Sequence, residues 1–480
     1  MEGLFKTKFV RTLLIISFIF IYNVNAYSQQ VFTLKQTVDT ALKNNLELKQ
    51  TELQMESAGI DWRQSKANLL PTLNGFANHG INQGRSIDPF TNAYIDQRVN
   101  FAGYGISSGI TVFGGLGLQN SIRQNSLAYE ASKMDVQQQK DNLTLNIILA
   151  YLQVLSNEDL LTQAKSQVEV STQQVGRLEK MSKEGAIAPA LLSNLQGELA
   201  GNELNVVNAQ NQLESSRLSL FQLMNIPYNA NAKFERVSID AFTAQYDASA
   251  NEIYETALEN LALVKAANLR KMSAAKGVKA ARGQLYPNLS LNGNLNTNYS
   301  SAAMQSIFLN NSEGETENYV MIGGVKTPVI SPQQNFNSEK IKYNSQLSNN
   351  LYTTVSLDLR VPLFNNFSTR NRIKKASLEL KNTDYVAEAT KIQLRQSIEQ
   401  AYANMTAARN RYDALSRQVE AFALSFRIAE VRFNAGVETA IDYVIAKNNF
   451  DRANSNLIIA RYDYLLRTKV LDYYRGKALW

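Results

Sequence analysis

The chain has 480 residues with no cysteine and one histidine, so it offers neither a disulfide framework nor a histidine-based metal or catalytic cluster. Its net charge of +7 is spread along the chain without a concentrated basic run, which argues against a nucleic-acid partner. The sequence therefore predicts a protein that is not an enzyme and that needs no cofactor.

Residues 1–26 carry the features of a cleavable secretory signal. Lys6, Lys8 and Arg11 precede an apolar run, and Val24-Asn25-Ala26 supplies the small residues that a signal peptidase needs. The apolar run is too short to cross about 30 Å of hydrocarbon as a helix. No longer apolar stretch follows, so any membrane crossing by the mature chain is expected to use strands.

Two segments of alternating side chains follow in the first half of the chain. Tyr104, Ile106 and Ile110 alternate with glycine, serine and threonine, and a weaker strand begins at Leu73. Each segment is about ten residues long, which suits a tilted membrane strand and equally a soluble sandwich. The pattern predicts a strand hairpin over 71–113.

A long helix is predicted next, because residues 115–185 contain no proline and would span about 100 Å at 1.5 Å per residue. Its apolar residues form a narrow stripe at helical spacing: Leu143, Ile147, Ile148, Tyr151, Leu152 and Leu155. Such a stripe favours coiled-coil packing. The chain then turns at Gly185 and returns as a second helix, which predicts a helical hairpin over 115–225.

Residues 27–226 form one structural repeat, a helix followed by the two hairpins, and residues 227–251 connect it to a second copy. At an offset of 216, Thr40, Ala41, Leu42, Asn44, Pro71 and Leu73 recur as Thr256, Ala257, Leu258, Asn260, Pro287 and Leu289. At an offset of 251, Phe113, Asn120, Ile122, Leu143, Ala150, Tyr151 and Gly185 recur as Phe364, Asn371, Ile373, Leu394, Ala401, Tyr402 and Gly436. The chain is therefore a tandem repeat.

The second repeat covers residues 252–480. Its strand hairpin is predicted over 287–364, where the odd positions from Leu351 onward are apolar and the even positions are mostly polar. Its helical hairpin is predicted over 366–476, with the tip at Gly436. The same architecture is thus expected twice, a helix, a strand hairpin and a long helical hairpin.

The offset grows by 35 between Leu289 and Phe364, so the second strand hairpin carries an enlarged loop. This loop, about 300–350, is expected to be polar and rich in Asn, Ser and Gly, as is the shorter tip at about 84–98. Long outer loops are typical of outer-membrane barrels. Four strands cannot close a barrel, and open edges cannot face lipid, so the barrel is expected to be completed by oligomerisation.

Several short motifs, in the same order in both copies, resemble the TolC-like outer-membrane efflux family over essentially the whole mature chain. They are Lys66-Ala67-Asn68-Leu69-Leu70-Pro71, Val112-Phe113-Gly114-Gly115, Ala150-Tyr151, Pro362-Leu363-Phe364-Asn365-Asn366, Ala401-Tyr402 and Phe433-Asn434-Ala435-Gly436-Val437-Glu438-Thr439. The resemblance implies a mixed α and β fold: four membrane strands per protomer forming a 12-stranded trimeric β-barrel, continued by a long periplasmic coiled-coil barrel of helices.

The resemblance also implies a location and partners. The protein is expected in the cell outer membrane, in contact with lipid and extending into the periplasm. It is expected to form a homotrimer, to dock to a periplasmic membrane-fusion adaptor, and to work with an inner-membrane pump. The implied function is a passive exit duct for an efflux pump or a type I secretion system.

The helical tips hold the candidate site residues. Asp442 lies six positions after Gly436, where the family carries an acidic residue that helps to close the periplasmic entrance, and Glu438 lies one turn earlier. Asp442 also fits an ordinary helix start, since Thr439 precedes it by three residues in a capping arrangement. The adaptor contacts are expected at the tips themselves, at Gly185, Ala186, Ile187, Gly436 and Val437.

Two alternatives stay open at this stage. A periplasmic structural or binding protein without a pore could use the helical hairpins as spacers, although a spacer has no need for lipid-compatible strands. Gly115-Leu116-Gly117 follows a strand and opens a helix as a dinucleotide loop does, but no third glycine follows at position 120. A simple strand-to-helix turn is therefore favoured there.

Overall fold

The computed structural model describes residues 31–87, 92–236 and 246–477, so the predicted signal over 1–26 lies outside the described residues. The first copy contains, in chain order, β1 (Val31–Phe32), α1 (Leu34–Asn44), α2 (Leu46–Ala67), β2 (Thr72–Asn82), β3 (Arg85–Ile87), β4 (Tyr94–Asp96), β5 (Val99–Gly114), α3 (Gly117–Lys183) and α4 (Pro189–Met224). The two helices α3 and α4 form its helical hairpin.

The short strand β6 (Lys233–Phe234) lies in the connecting segment, and the second copy then repeats the order of the first with additions. Its elements are α5 (Ala250–Asn260), α6 (Ala262–Gly283), β7 (Asn288–Ser300), β8 (Met304–Ile322), β9 (Val325–Lys340), α7 (Tyr343–Asn349), β10 (Tyr352–Arg360), α8 (Ser368–Asn434) and α9 (Ala440–Tyr474). The long helices α3 and α8 are both 67 residues long. No helix in the described ranges is long and apolar enough to cross a membrane.

The chain divides into two compact units. The strand unit comprises Ala58–Tyr129 and Lys271–Thr383, and the helical unit comprises the chain up to Ser57, Glu130–Arg270 and the chain from Asp384 onward. Each unit takes segments from both copies. The duplication is therefore a property of the sequence, whereas the compact units are built across it.

One antiparallel sheet dominates the strand unit, with its four strands in the order β10-β7-β5-β2. β2 pairs with β5 in the first copy and β10 with β7 in the second, as in two hairpins, and β5 pairs with β7 to join the copies. Within the described residues, β2 and β10 each keep one edge without a partner strand. The sheet is consequently open on both sides.

Both copies pass from strand into long helix through two consecutive left-handed residues. The φ angle is 60° at Gly115 and at Leu116, and it is 52° at Asn366 and 61° at Phe367. A Cβ atom at Gly115 would lie 2.2 Å from the carbonyl oxygen of Gly283, so only glycine fits there without a shift of the backbone. The Gly-Leu-Gly segment is thus a strand-to-helix turn, as predicted.

The enlarged loop at about 300–350, whose conformation the sequence left open, has regular secondary structure. Most of it is a long β-hairpin of β8 and β9, followed by the short helix α7. Gln346 of α7 is buried, and its side chain bonds both the N–H and the carbonyl of Ser300. This contact fastens the helix to the end of β7.

The helical unit buries the predicted apolar stripe of α3 completely. Its six residues are each at most 5% exposed: Leu143, Ile147, Ile148, Tyr151, Leu152 and Leu155. The Tyr151 hydroxyl lies 3.0 Å from the Phe32 carbonyl and 2.7 Å from the Glu235 carbonyl, next to the parallel pair β1 and β6. The Ala-Tyr motif midway along the helix therefore anchors the N-terminal strand and the connecting segment.

A buried carboxylate joins the two copies in the same unit. Asp159 of α3 accepts hydrogen bonds from Arg461 at 2.6 Å and from the Tyr462 hydroxyl at 2.9 Å, and it also pairs with Arg236 of the connecting segment. Burial and the neighbouring Asp159 carboxylate raise the pKa of Tyr462 to about 12. The hydroxyl consequently stays a donor to Asp159 at any physiological pH.

Candidate functional site

One face of the sheet is mainly apolar, because the register aligns apolar positions from all four strands. The aligned rows are Leu73, Ser108, Gly293 and Val355; Gly75, Ile106, Leu295 and Thr353; Ile110, Leu291 and Leu357; and Phe113, Leu289 and Leu359. Val355 is 71% exposed and Leu357 64% exposed. A soluble sandwich would cover such a face, so the face needs an apolar surrounding.

The opposite face is mainly polar, with Phe76 and Tyr352 as aromatic exceptions, and several of its rows are rich in amide side chains. They align Asn74, Ser107, Asn294 and Thr354; Asn78, Gly103 and Asn298; and Gly109, Asn292 and Ser356. Glycines in β5 make room for these amides: a Cβ at Gly103, Gly105 or Gly109 would lie 2.4, 2.3 or 2.8 Å from the side-chain oxygen of Asn78, Asn296 or Asn292. The two faces of one sheet thus suit two different solvents, lipid and water.

Two helices carry exposed apolar residues at a seven-residue spacing. On α2 they are Leu46, Leu53 and Ile60, and on α8 they are Leu378, Tyr385 and Ile392, each between 56% and 68% exposed. A seven-residue apolar repeat supplies one of the two apolar positions per heptad that a coiled-coil seam uses. The helix α2 leads into the edge strand β2, and the edge strand β10 leads into α8. Each exposed apolar row therefore belongs to a helix that adjoins an edge strand in sequence.

The two helical tips have the same backbone. At the first, the N–H of Gly185 bonds the Ser182 carbonyl at 3.0 Å and the N–H of Ala186 bonds the Met181 carbonyl at 2.9 Å. Gly436 and Val437 repeat both bonds in the second copy, at 3.1 and 3.0 Å. This pattern closes a helix C-terminus through a left-handed glycine, with φ of 72° at Gly185 and 74° at Gly436.

The predicted tip residues differ in exposure. Ala186 is exposed and Val437 is 68% exposed, whereas Ile187 is half-buried. Ile187 packs in a small apolar cluster around Val175, Leu178 and Leu195 that also touches the second copy. Ala186 and Val437 are thus available for contact with another protein, and Ile187 mainly supports the tip.

Asp442 is an exposed first-turn residue of α9. The Asp442 N–H donates to the Thr439 hydroxyl oxygen at 3.2 Å, and the same hydroxyl donates to the Asp442 carboxylate at 2.6 Å. The predicted capping arrangement is confirmed. The Asp442 carboxylate remains exposed to solvent, so the capping contact does not prevent it from facing a pore.

Glu438, the second acid predicted near the tip, is held in an ion pair. Its carboxylate lies 3.0 Å from the Nε atom of Arg432, as an ion pair rather than an aligned hydrogen bond, and its side chain is only 17% exposed. Both acids line a groove of about 470 Å³ on the second hairpin, together with Leu424, Ile428 and Ile445. Sequence spacing gave no signal for the Arg432 pair, because that contact crosses the turn.

The two helical hairpins are tied together near their tips. Lys447 of α9 is buried, with its Nζ atom 2.9 Å from Asp451 and 3.4 Å from Glu198 of α4. Arg177 of α3 donates to the Asn434 carbonyl at 3.3 Å, at the end of α8. These contacts hold the two hairpins side by side near their tips.

Comparisons with known proteins agree with this architecture. The family model described as "Outer membrane efflux protein" matches residues 37–225 and 253–474, one match for each copy. The outer membrane protein TolC of Vibrio cholerae serotype O1 is 22% identical over 437 residues, which covers 90% of this chain and 88% of that protein. TolC of Escherichia coli K12 is 23% identical over 447 residues, covering 91% and 80%.

A solved structure supports the same fold. The crystal structure of CusC, from work on folding and transmembrane channel formation, superposes with a TM-score of 0.74 at 15% identity and covers 95% of this chain and 96% of its own. The match spans the strand hairpins and the long helical hairpins alike. The chain therefore belongs to the outer membrane efflux protein family.

Proposed function

We propose that this outer-membrane protein is the exit duct of an efflux pump or type I secretion system, a passive homotrimeric channel without catalytic activity. The observation that carries the proposal is the sheet register, which gives four strands one apolar face and one amide-rich face. A strand that separates lipid from a water-filled lumen needs these two faces. The pump supplies the energy, and this chain supplies the path.

The open edges of the sheet support the trimer. In lipid every backbone N–H and carbonyl needs a partner, so the free edges of β2 and β10 require neighbouring strands. When β2 of one protomer pairs with β10 of the next, three protomers close a sheet of twelve strands. The strands within each protomer already run antiparallel, so the same pairing rule continues around the ring.

The exposed seams on α2 and α8 support the same neighbour relation. Each helix is joined in sequence to an edge strand, so a protomer that pairs by β2 and β10 also brings α2 against the α8 of its neighbour. Leu53 and Tyr385 are then buried in a coiled-coil seam. One arrangement thus satisfies the strands and the helices together.

The helical tips are proposed as the periplasmic entrance. Gly185, Ala186, Ile187, Gly436 and Val437 would contact the membrane-fusion adaptor, which links the duct to the inner-membrane pump. Support comes from the exposed Ala186 and Val437 on two turns that are closed by the same backbone hydrogen bonds. Asp442 and Glu438 are proposed as pore and gate residues, with the exposed Asp442 as the principal charge.

The second candidate function is a periplasmic spacer or binding protein without a pore. The long helical hairpins alone would fit it. The sheet does not, because an exposed apolar face aligned over four strands would make a soluble spacer aggregate. We therefore favour the duct.

A pair of charge substitutions in β10 tests the duct. Leu357→Arg puts a charge on the apolar face, where it should cost about 2–4 kcal/mol in lipid and lower the amount of trimer in the outer membrane. Thr354→Arg puts the same charge on the polar face and should leave the trimer intact while changing single-channel conductance in planar bilayers. Equal effects of the two substitutions on membrane assembly would contradict the proposal.

A further inference from the structure

The hairpin of β8 and β9, called the ribbon here, is exposed along its whole length. The two strands pair with each other and turn through Gly323 and Gly324, whose φ angles of 61° and 89° fit a tight two-residue turn. The 19 residues of β8 would extend about 60 Å at 3.3 Å per residue. A two-stranded ribbon of this length is marginally stable alone in water, so it needs a partner surface.

The end of the ribbon, residues 319–330, is apolar on both faces. Val320 and Ile322 share one face with Val325, while Tyr319 and Met321 share the other with Pro328. Ile322 is 63% exposed and Val325 is 67% exposed. This end, called the ribbon tip, contains no acidic residue and one lysine, Lys326, whose ammonium group lies 4.4 Å from the centre of the Tyr319 ring.

The edges of the ribbon are unsuited to strand addition. Pro328 and Pro332 remove two backbone donors from β9, and the register of β8 shifts between Phe308 and Asn310 and again between Glu315 and Tyr319. Proline and irregular register are devices that block pairing at an exposed edge. A partner must therefore meet the ribbon through the side chains of its tip.

We propose that the partner of each ribbon tip is the ribbon tip of the neighbouring copies, so that the three tips of a trimer pack together. The inference rests on the proposed homotrimer. The ribbon arises between β7 and the edge strand β10, which is the strand that meets the next protomer. Three tips tethered to one ring are held at millimolar effective concentration, and a tip with two neighbours buries both of its apolar faces.

The middle of the ribbon fits this arrangement. Glu313 and Glu315 lie two residues apart on β8, opposite Pro332 and Ile330, and share one face; Glu317 follows within the irregular register before Tyr319. Three such acidic segments repel one another, so the ribbons stay apart in the middle while their tips meet. Exported molecules then leave through the spaces between the ribbons.

Disulfide trapping in the full-length protein tests the inference, because the native chain has no cysteine. Met321→Cys at the tip should give disulfide-linked dimers in outer membranes treated with a mild oxidant. The control Gln334→Cys, in the polar middle of β9, should give few. Adding Val320→Ser and Ile322→Ser to Met321→Cys should reduce the cross-linked fraction about tenfold, since two apolar contacts are lost.

Two results would overturn the inference. One is an intact trimer without tip cross-links, or with equal cross-linking at both cysteine positions. The other is insertion of the tip into lipid. In that case the emission maximum of an environment-sensitive fluorophore on the tip cysteine would shift to shorter wavelength only when phosphatidylcholine vesicles are added. Trimer is measured separately by amine cross-linking of the cysteine-free protein, and its absence would reject the proposed function rather than the tip contact alone.

Discussion

The two copies share their helices and strands but bury different sides of them. In α3 the whole apolar stripe is buried, whereas in α8 the positions equivalent to Ile148, Leu152 and Leu155 are occupied by Glu399, Ala403 and Thr406. The helix α8 instead leaves Leu378, Tyr385 and Ile392 exposed. This difference teaches that α3 stabilises the protomer from within, whereas α8 keeps an apolar row open to solvent.

The largest expected effect compares a tyrosine with its counterpart in the other copy. Tyr151→Ala removes a side chain that is 0% exposed and should lower the free energy of unfolding by about 4 kcal/mol. Tyr402→Ala removes a half-buried side chain and should cost about half as much. Thermal or denaturant unfolding of the detergent-solubilised variants measures both. Equal losses of unfolding free energy in the two variants would show that the two copies contribute equally to the stability of the protomer.

The second prediction concerns the exposed seam of α8. Leu378→Ser with Ile392→Ser should weaken trimer association by about 2 kcal/mol per protomer, because two apolar side chains lose a buried environment in the assembly. Glu379→Ser with Gln393→Ser, at neighbouring exposed polar positions, is the matched control and should leave association unchanged. The fraction of trimer on native gels against detergent concentration gives the result. If both pairs behave alike, α8 does not contact a neighbour.

A third prediction contrasts the acids at the two tips. Asp442→Ala with Glu438→Ala should reduce cation preference in a bilayer recording, because three exposed carboxylates around an axis attract cations. Glu184→Ala, which removes an exposed acid at the first tip, should change selectivity less. Loss of the cap at Asp442 should also lower stability by about 1 kcal/mol. Unchanged conductance and selectivity in the double variant would leave Asp442 with its capping role alone.

The smallest expected effect is a pH dependence of the free energy of unfolding, caused by Asp472 near the end of the second copy. Burial raises the pKa of the Asp472 carboxyl above its usual value, against the lowering effect of Lys469, Lys477 and Arg475. The protonated Asp472 carboxyl therefore makes its full contribution to stability below the pKa that it has in the unfolded chain. That contribution is lost as the pH rises through the higher pKa that it has in the folded protein. Asp472→Asn should gain a few tenths of a kcal/mol at neutral pH, after allowance for solvent screening, and nothing at about pH 3.5. Unfolding at both pH values, with Glu56→Gln at an exposed position as control, measures the difference.

Much of the fold was predictable because it depends on periodic side chains and on glycine. Alternation located the four strands, the apolar stripe located the core of α3, and Gly185 and Gly436 located both tips. The prediction that Thr439 caps the helix at Asp442 is also confirmed. These features are local in sequence, so one residue constrains the backbone of its immediate neighbours.

Contacts between distant segments could not be predicted in this way. The pair of Arg432 with Glu438 depends on side-chain directions across a turn, and the binding of Asp159 to Arg461 joins positions in different copies. The ribbon was missed because its polar middle dominates the composition of the segment. The one local signal was Gly323-Gly324 between Ile322 and Val325, a typical two-residue hairpin turn.

The equal length of α3 and α8 has a consequence for how such a protein can change over evolutionary time. Deleting one residue from a long helix rotates everything beyond it by about 100° and shortens it by about 1.5 Å, which would take Gly185 or Gly436 out of line with its counterpart. The 35 additional residues lie instead between two strands, where a longer connection alters no helix phase. Substitutions can therefore accumulate throughout the helices, whereas insertions and deletions are tolerated mainly in the loops of the sheet.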